Sequence, residues 1–408
     1  MRRAAIVLAA LVAAVYAASA SAAPSFTTAT NSFTFGQAPD WMPGGQVAWH
    51  DDVSGENQVY VSNLDGSAKR CLTCAQKGPN MVAQVRPQGD WVLFHSWLGH
   101  NLTIGSPGFG GIGSSLFVVD PKTKKIVQLT HNPEGEDDYH AYWSPDGKRL
   151  VWAHLNWDFV DDNGQGYWDI RVADFVDDAS GPHLANVRIV RPGNGHYYET
   201  QHWAPDGKGF LYTESVGSTL NLELFWCHLP AKGECKPERL TNNPNWDEQA
   251  IFTPDQKKVI WMSTRDHPGL WNTWANAFAA AGTPNDLDYI FILPLFEAGF
   301  LQPFGAESND LYELNLKTRA VRRLTHDGDD GWITPEFSWD AAGKRLLWTE
   351  LKYRDGVRTP LPPDPQTQLG GLQDIAQNPP VPDAGDAHPA GQNSLLIRRT
   401  RIGSYSTR

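Results

Sequence analysis

Cysteine is scarce in this chain, four among 408 residues. Cys71 and Cys74 sit in CLTC, and Cys227 and Cys235 flank HLPAKGE. Without paired histidines at ligand spacing they do not read as a zinc site. Without a βαβ context Cys71 and Cys74 do not read as a thioredoxin-like couple. In an exported chain an even, locally paired set predicts two disulfides, Cys71–Cys74 and Cys227–Cys235. Positive charge is also short. Lys and Arg number 34 against 46 Asp and Glu, a formal net charge of −12. That argues against nucleic acid and anionic membranes as partners, and suits cations, basic proteins or plain solubility. No G-x-S-x-G elbow occurs. The Gly-rich stretch 97–115 lacks the Gly-Lys-Ser/Thr ending of a phosphate loop and reads as a flexible loop. Long apolar runs are missing beyond the first residues, so no membrane span is expected. At the start, Arg2 and Arg3 precede AAIVLAALVAAVYAA and then Ala20-Ser21-Ala22. That is the pattern of a secretory signal peptide over 1–23, with the mature chain, 24–408, secreted or periplasmic.

What the chain has in quantity is one phrase. It reads WSPDGKRLVW at 143–152, WAPDGKGFLY at 203–212, FTPDQKKVIW at 252–261 and FSWDAAGKRLLW at 337–348, with worn copies at 85–94 and 41–49. Each copy is an aromatic or apolar residue, a turn, a polar or basic residue and an alternating strand. Recurrence every ~40–60 residues marks stacked β units that cannot bury their faces alone. Three copies share a lead-in: LTHNPEGEDDYHAY, LTNNPNWDEQAI and LTHDGDDGWITPE. Upstream lie hairpin-like strand pairs, such as NQVYVSNLDGSAKRCLT with Asp65-Gly66 at the turn. A unit is therefore four short strands, one propeller blade. Six copies predict an all-β, six-bladed propeller, one domain over 24–408.

The W-S-P-D-G-K turn and L-T lead-in resemble those of the TolB-like propeller family over roughly residues 37–350. The resemblance implies the fold; it does not imply one function, because many activities sit on such rings. TolB itself carries an α/β domain ahead of its propeller. Here about 14 residues separate the cleavage site from blade 1, so the expectation is the propeller alone. Related propellers are fused to prolyl oligopeptidase-type domains, which would need the missing elbow. Some propeller lyases acting on uronate oligosaccharides hold a metal with His and Gln at the channel mouth. By location, His140, His202 and Gln201 or Gln249 would be the counterparts.

The expected blades cover 37–78, 79–132, 133–194, 195–243, 244–327 and 328–405. SFTTATNSFTFG near the start and NSLLIRRTRIG near the end both read as strand, and an open ring leaves unpaired edges. The N-terminal strand is therefore expected to complete the blade that the C-terminus builds. Blade 5 carries the longest insertion, 268–308. Within it Leu270, Trp271, Trp274 and Phe278 fall near one helical face. The blade 3 loop around Asp161, Asn163 and Asp169 alternates like oxygen ligands. It reads either as a divalent cation site, calcium above all, or as a plain Asn-Gly hairpin turn.

The lead-ins place equivalent residues at one mouth of the channel. Expected ligand-binding residues are Asp138, His140, Glu199, His202, Asp247, Glu248 and Asp330. Carboxylates alone suit a hard cation; with His and Gln they suit a transition metal or acid–base work. The plain alternative is that they cap strand ends. Two function classes follow. One is a monomeric exported module that binds a protein or glycan through its loop face. The other is a carbohydrate-active enzyme: a glycoside hydrolase using paired carboxylates such as Glu199 and Glu248, or a metal-assisted lyase.

Overall fold

The computed structural model describes residues 25–406 apart from 52, 55–56, 98–112, 134–135, 157–166, 217–221, 268–307, 335 and 354–395. Six sheets of four antiparallel strands form a ring. Blade 3 is typical: Glu136–Trp143, Arg149–Asn156, Tyr167–Asp178 and Gly181–Arg191, each pairing with the next. In blade 6 the order is Phe337–Trp339, Arg345–Tyr353, Leu396–Ser406 and then the N-terminal strand Ser25–Thr30. Ser25 lies opposite Ser406 and Thr30 opposite Arg401. The ring closes between both ends of the described chain, as the strand-like termini predict.

The repeated phrase is legible atom by atom. In blade 3 the Ser144 amide donates to Arg149 O at 2.9 Å and the Gly147 amide to Ser144 O at 2.8 Å. Asp146 Oδ1 accepts from Ser144 Oγ at 2.6 Å. Gly147 takes φ 65°, a left-handed backbone that glycine adopts without a Cβ penalty. The opening tryptophan joins blade to blade: Trp143 Nε1 donates to Gln84 O at 3.1 Å, and Trp203 Nε1 to Tyr142 O at 3.0 Å.

The core lies between blades. One apolar cluster joins Val59 and Val61 of blade 1 to Val92 and Phe94 of blade 2. Others join blades 2 and 3, 3 and 4, 4 and 5, and 5 and 6. A further one, with Trp41, Trp49 and Leu347, seals blade 6 to blade 1. Each blade therefore buries its faces only against neighbours, the reason the sequence must repeat. Trp49, Trp152, Trp261 and Trp348, on the second strands of blades 1, 3, 5 and 6, are almost fully buried.

Both disulfides join the expected partners, Cys71 to Cys74 and Cys227 to Cys235. Among the described residues no helix is long and apolar enough to cross a membrane. Residues 1–23, the helical face expected within 268–307, Asp161 and Asn163 lie outside the described residues. The longest insertions all fall between the second and third strands of their blades. Antiparallel pairing puts those strand ends at the same end of the ring as the entry to each first strand. The two ends of the ring thus differ: tight repeated turns at one, long insertions anchored at the other.

Candidate functional site in the channel

The first strand of each blade sorts its side chains by alternation. Asp138 and Asp247 stand five residues before the turn aromatics Trp143 and Phe252, and both turn toward their own blade. Asp138 accepts Trp152 Nε1 at 2.7 Å and lies 2.9 Å from His154 Nδ1. Asp247 accepts Trp261 Nε1 at 2.9 Å and Asn243 Nδ2 at 2.5 Å, with Arg265 3.4 Å away. One residue later the face flips. Glu199 and Glu248 occupy that next position in blades 4 and 5. Each takes a donor from an aromatic two residues earlier on the same face. Tyr197 Oη donates to Glu199 Oε2 at 2.6 Å, and Trp246 Nε1 to Glu248 Oε2 at 3.0 Å.

A bulge then breaks the alternation. Pairing slips between Tyr139 and Tyr142, between Thr200 and Trp203, and between Glu248 and Ala250. At the bulges His140 and Gln249 adopt φ 44° and 49°, a strained conformation for these residues. Ala38 and Val82 do the same in blades 1 and 2, so the strain recurs in blades 1, 2, 3 and 5, where it re-aims one side chain of the first strand. His140 Nδ1 thereby comes to 2.5 Å from Glu199 Oε1, and its Nε2 lies 3.8 Å from Glu336 of blade 6. Gln201 and Gln249 each donate to the same Glu199 oxygen at 3.1 Å. All but Glu336 and Tyr197 in this group are buried.

Burial raises every carboxyl here, and charge decides which one keeps its proton. Burial works to raise Glu199, but the imidazolium of His140 and its other donors hold it below the usual range. Burial opposes a charge on His140, yet Glu199, Glu336 and Asp137 raise it above the ordinary histidine value. Burial and then the neighbouring Glu199 charge, with which Glu248 shares a hydrogen bond, push Glu248 far up. Glu336 is also raised, by burial. These directions favour an ionised Glu199 against a protonated His140, with the proton of the acid pair on Glu248. Around it, burial lowers His95 to about 3 and His202 to about 4, and raises Asp137 to about 8.

Of the expected residues, His140, Glu199 and Glu248 meet. His202 is nearby, its ring 4.5 Å from that of Tyr142 and its Nδ1 3.3 Å from Ala250 O. Four other expected residues stand apart from this cluster. Asp138 and Asp247 are spent on indoles of their own blades. Asp330 is exposed at the end of a short 3-10 turn, Asp327–Asp330. Asp169, expected as a cation ligand, pairs with Arg171 at 2.9 Å, and its expected co-ligands Asp161 and Asn163 lie outside the described residues. Glu336, Tyr197 and Tyr142 were not anticipated. Glu336 stands three residues before Trp339, the place that His140 and Gln249 hold before Trp143 and Phe252, and that repeat position is the signal that marks it.

Among the described residues only His267, Asp310 and Asp329 bring three ligand atoms within 4.8 Å of one another. There Arg323 already sits 2.5 Å from Asp310 and 2.6 Å from Asp329.

No protein-family model matches the sequence, and no curated protein matches it. Among solved structures the chain is similar to TolB from Acinetobacter baumannii, at 15% identity over 76% of this chain and 59% of that one, with a TM-score of 0.47. It is similar to an oligogalacturonate lyase in complex with manganese, at 10% identity over 80% and 77% of the two chains, TM-score 0.45. Hydrazine synthase from Kuenenia stuttgartiensis follows at 16% identity over 85% and 83%, TM-score 0.43. The chain spans less than two thirds of the TolB chain it matches. The likeness is one of fold. The chain is a six-bladed β-propeller, consistent with the TolB-like resemblance of its turn phrase.

Proposed function

We propose that this protein is an exported binding module that takes a protein or glycan ligand at the end of the ring where its insertions are anchored. The polar channel is its anchor point. One observation carries the reading. Glu199, Glu248, Glu336 and His140 converge at the axis, and among the described residues no Arg or Lys pairs with these carboxyls. Three acids share one histidine here, and acids that outnumber their cations cluster where a ligand is handled. Two disulfides in so cysteine-poor a chain support an oxidising compartment, in keeping with the leader-like first 23 residues.

A second reading, a carbohydrate-active enzyme, has one observation in its favour: the split between ionised Glu199 and protonated Glu248 supplies an acid and a base side by side. Their mutual hydrogen bond leaves no room for the sugar carbon that paired glycosidase carboxylates flank at ~5 Å or more. General acid–base elimination fits better than glycoside hydrolysis. The test is calorimetry with a glycan panel, basic peptides, calcium, manganese and zinc on wild type and on Glu199→Gln with Glu248→Gln. A ligand lost in the double variant supports the reading; identical binding by both proteins refutes it. Product release from a polysaccharide panel would move the assignment to the enzyme.

A further inference from the structure

Resting on that reading of the channel as a binding site, we propose that the group it receives is a primary ammonium. This would be the end of a lysine-like side chain or an alkylamine, held by Glu336, Gln201 Oε1 and Tyr142 Oη.

The acceptors around His140 divide into engaged and open ones. Glu199 is saturated: Tyr197 occupies Oε2, while Gln201, Gln249 and His140 crowd Oε1. Glu248 is taken up by Trp246 and by Glu199. Three acceptors remain open. Glu336 has as its nearest cation His140 Nε2 at 3.8 Å, beyond hydrogen-bond range. Gln201 is fully buried, and its amide nitrogen is spent on Glu199 while Oε1 has no donor. Tyr142 is 2% exposed and its hydroxyl has no partner. Unpaired buried polar atoms are uncommon and each asks for an explanation. All three belong to one neighbourhood. His140 sits between Glu199 and Glu336, Gln201 reaches Glu199, and the Tyr142 ring lies 6.3 Å from that of His140.

The chemistry of the vacancies selects the ligand. One open carboxylate and two neutral oxygens call for a single positive charge carrying three N–H donors, which an ammonium has and a quaternary amine lacks. A divalent ion needs several open anionic oxygens, and here the other two carboxyls are engaged.

The experiment is calorimetry at pH 7 with pentane-1,5-diamine, its fully methylated quaternary analogue, pentane-1,5-diol and manganese chloride. Proteins are wild type, Glu336→Gln and Tyr142→Phe, with thermal melts to establish folding. The diamine should bind wild type, the diol and the quaternary analogue at least tenfold more weakly. Glu336→Gln should lose tenfold or more, and Tyr142→Phe about threefold. Tyr142→Phe removes a hydroxyl that has no partner, so it should fold and carries the test alone if Glu336→Gln does not. No heat with the diamine, or equal affinity in both variants, overturns the proposal. Manganese binding that Glu199→Gln with Glu248→Gln abolishes, with no diamine binding, overturns the ammonium and leaves the channel reading standing. If neither probe nor any glycan or peptide depends on the channel, both fall.

Discussion

Two acidic clusters in this ring contain the same kinds of residue and have opposite characters. In blade 5, His267 and Asp310 lie 2.7 Å apart, and Arg323 reaches both Asp310 and Asp329. That cluster carries its own cation, and Asp310 is further tied by Thr325 Oγ1 at 2.7 Å. In the channel, Glu199, Glu248 and Glu336 have a single shared histidine and redistribute protons among themselves. The lesson is that acid–histidine composition does not distinguish a structural knot from a site. What distinguishes them is whether the chain supplies the balancing charge.

The largest expected effect breaks the self-contained cluster. Arg323→Met leaves Asp310, fully buried, without its cation. Stability should fall by about 3–5 kcal/mol in denaturant titration, and a loss under about 1 kcal/mol would mean the arginine is not the balancing charge. The next compares sequence neighbours. Asp247→Asn strips the charge from the acceptor shared by Trp261, Asn243 and Arg265 and should cost about 2–4 kcal/mol. Glu248→Gln, one residue on, should stay within about 1 kcal/mol of wild type at pH 5. An acid whose folded pKa is raised weakens the fold as pH climbs above its unfolded value, so Glu248→Gln should gain on wild type between pH 5 and 9. Parallel pH curves for the two proteins would contradict this.

The different fates of those neighbours also show what was legible beforehand. The turn phrase carries the ring directly, because the backbone turn that Trp143, Asp146 and Gly147 frame in blade 3 recurs in every blade. The Asp-Glu lead-in was visible too, but as one undivided acidic feature. Splitting Asp247 from Glu248 needs the strand's alternation, and predicting which residues follow needs the bulge that resets it. His140 and Gln249 reach the axis only through a left-handed backbone that no residue type announces. Glu336 holds the place before Trp339 that His140 holds before Trp143, but it sits just ahead of a first strand only three residues long, so the register has to be counted back from the turn.

A smaller effect separates burial from charge at the channel wall. Burial, then the charge of His140, lowers His95 to about 3, against opposing pulls from Asp138 and Glu199, with His50 also near. A histidine kept neutral by the fold contributes stability that is whole above pH 6.5 and drains as pH falls toward 3. Against His95→Gln, wild type should therefore lose ground below pH 6.5 by up to about 1.4 kcal/mol per pH unit. Melts at pH 7.5, 6 and 5 read this difference; a constant offset would show that His95 protonates as easily folded as unfolded.

The claim on which the rest depends is that His140 is charged because Glu199 is ionised against it. Titrating the His140 ring by NMR in wild type and in Glu199→Gln tests it directly. The account predicts a wild-type midpoint above 6.5 that drops in the variant, where burial is left to act with far less opposition. A wild-type midpoint at or below 6.5, unchanged by the substitution, would contradict it.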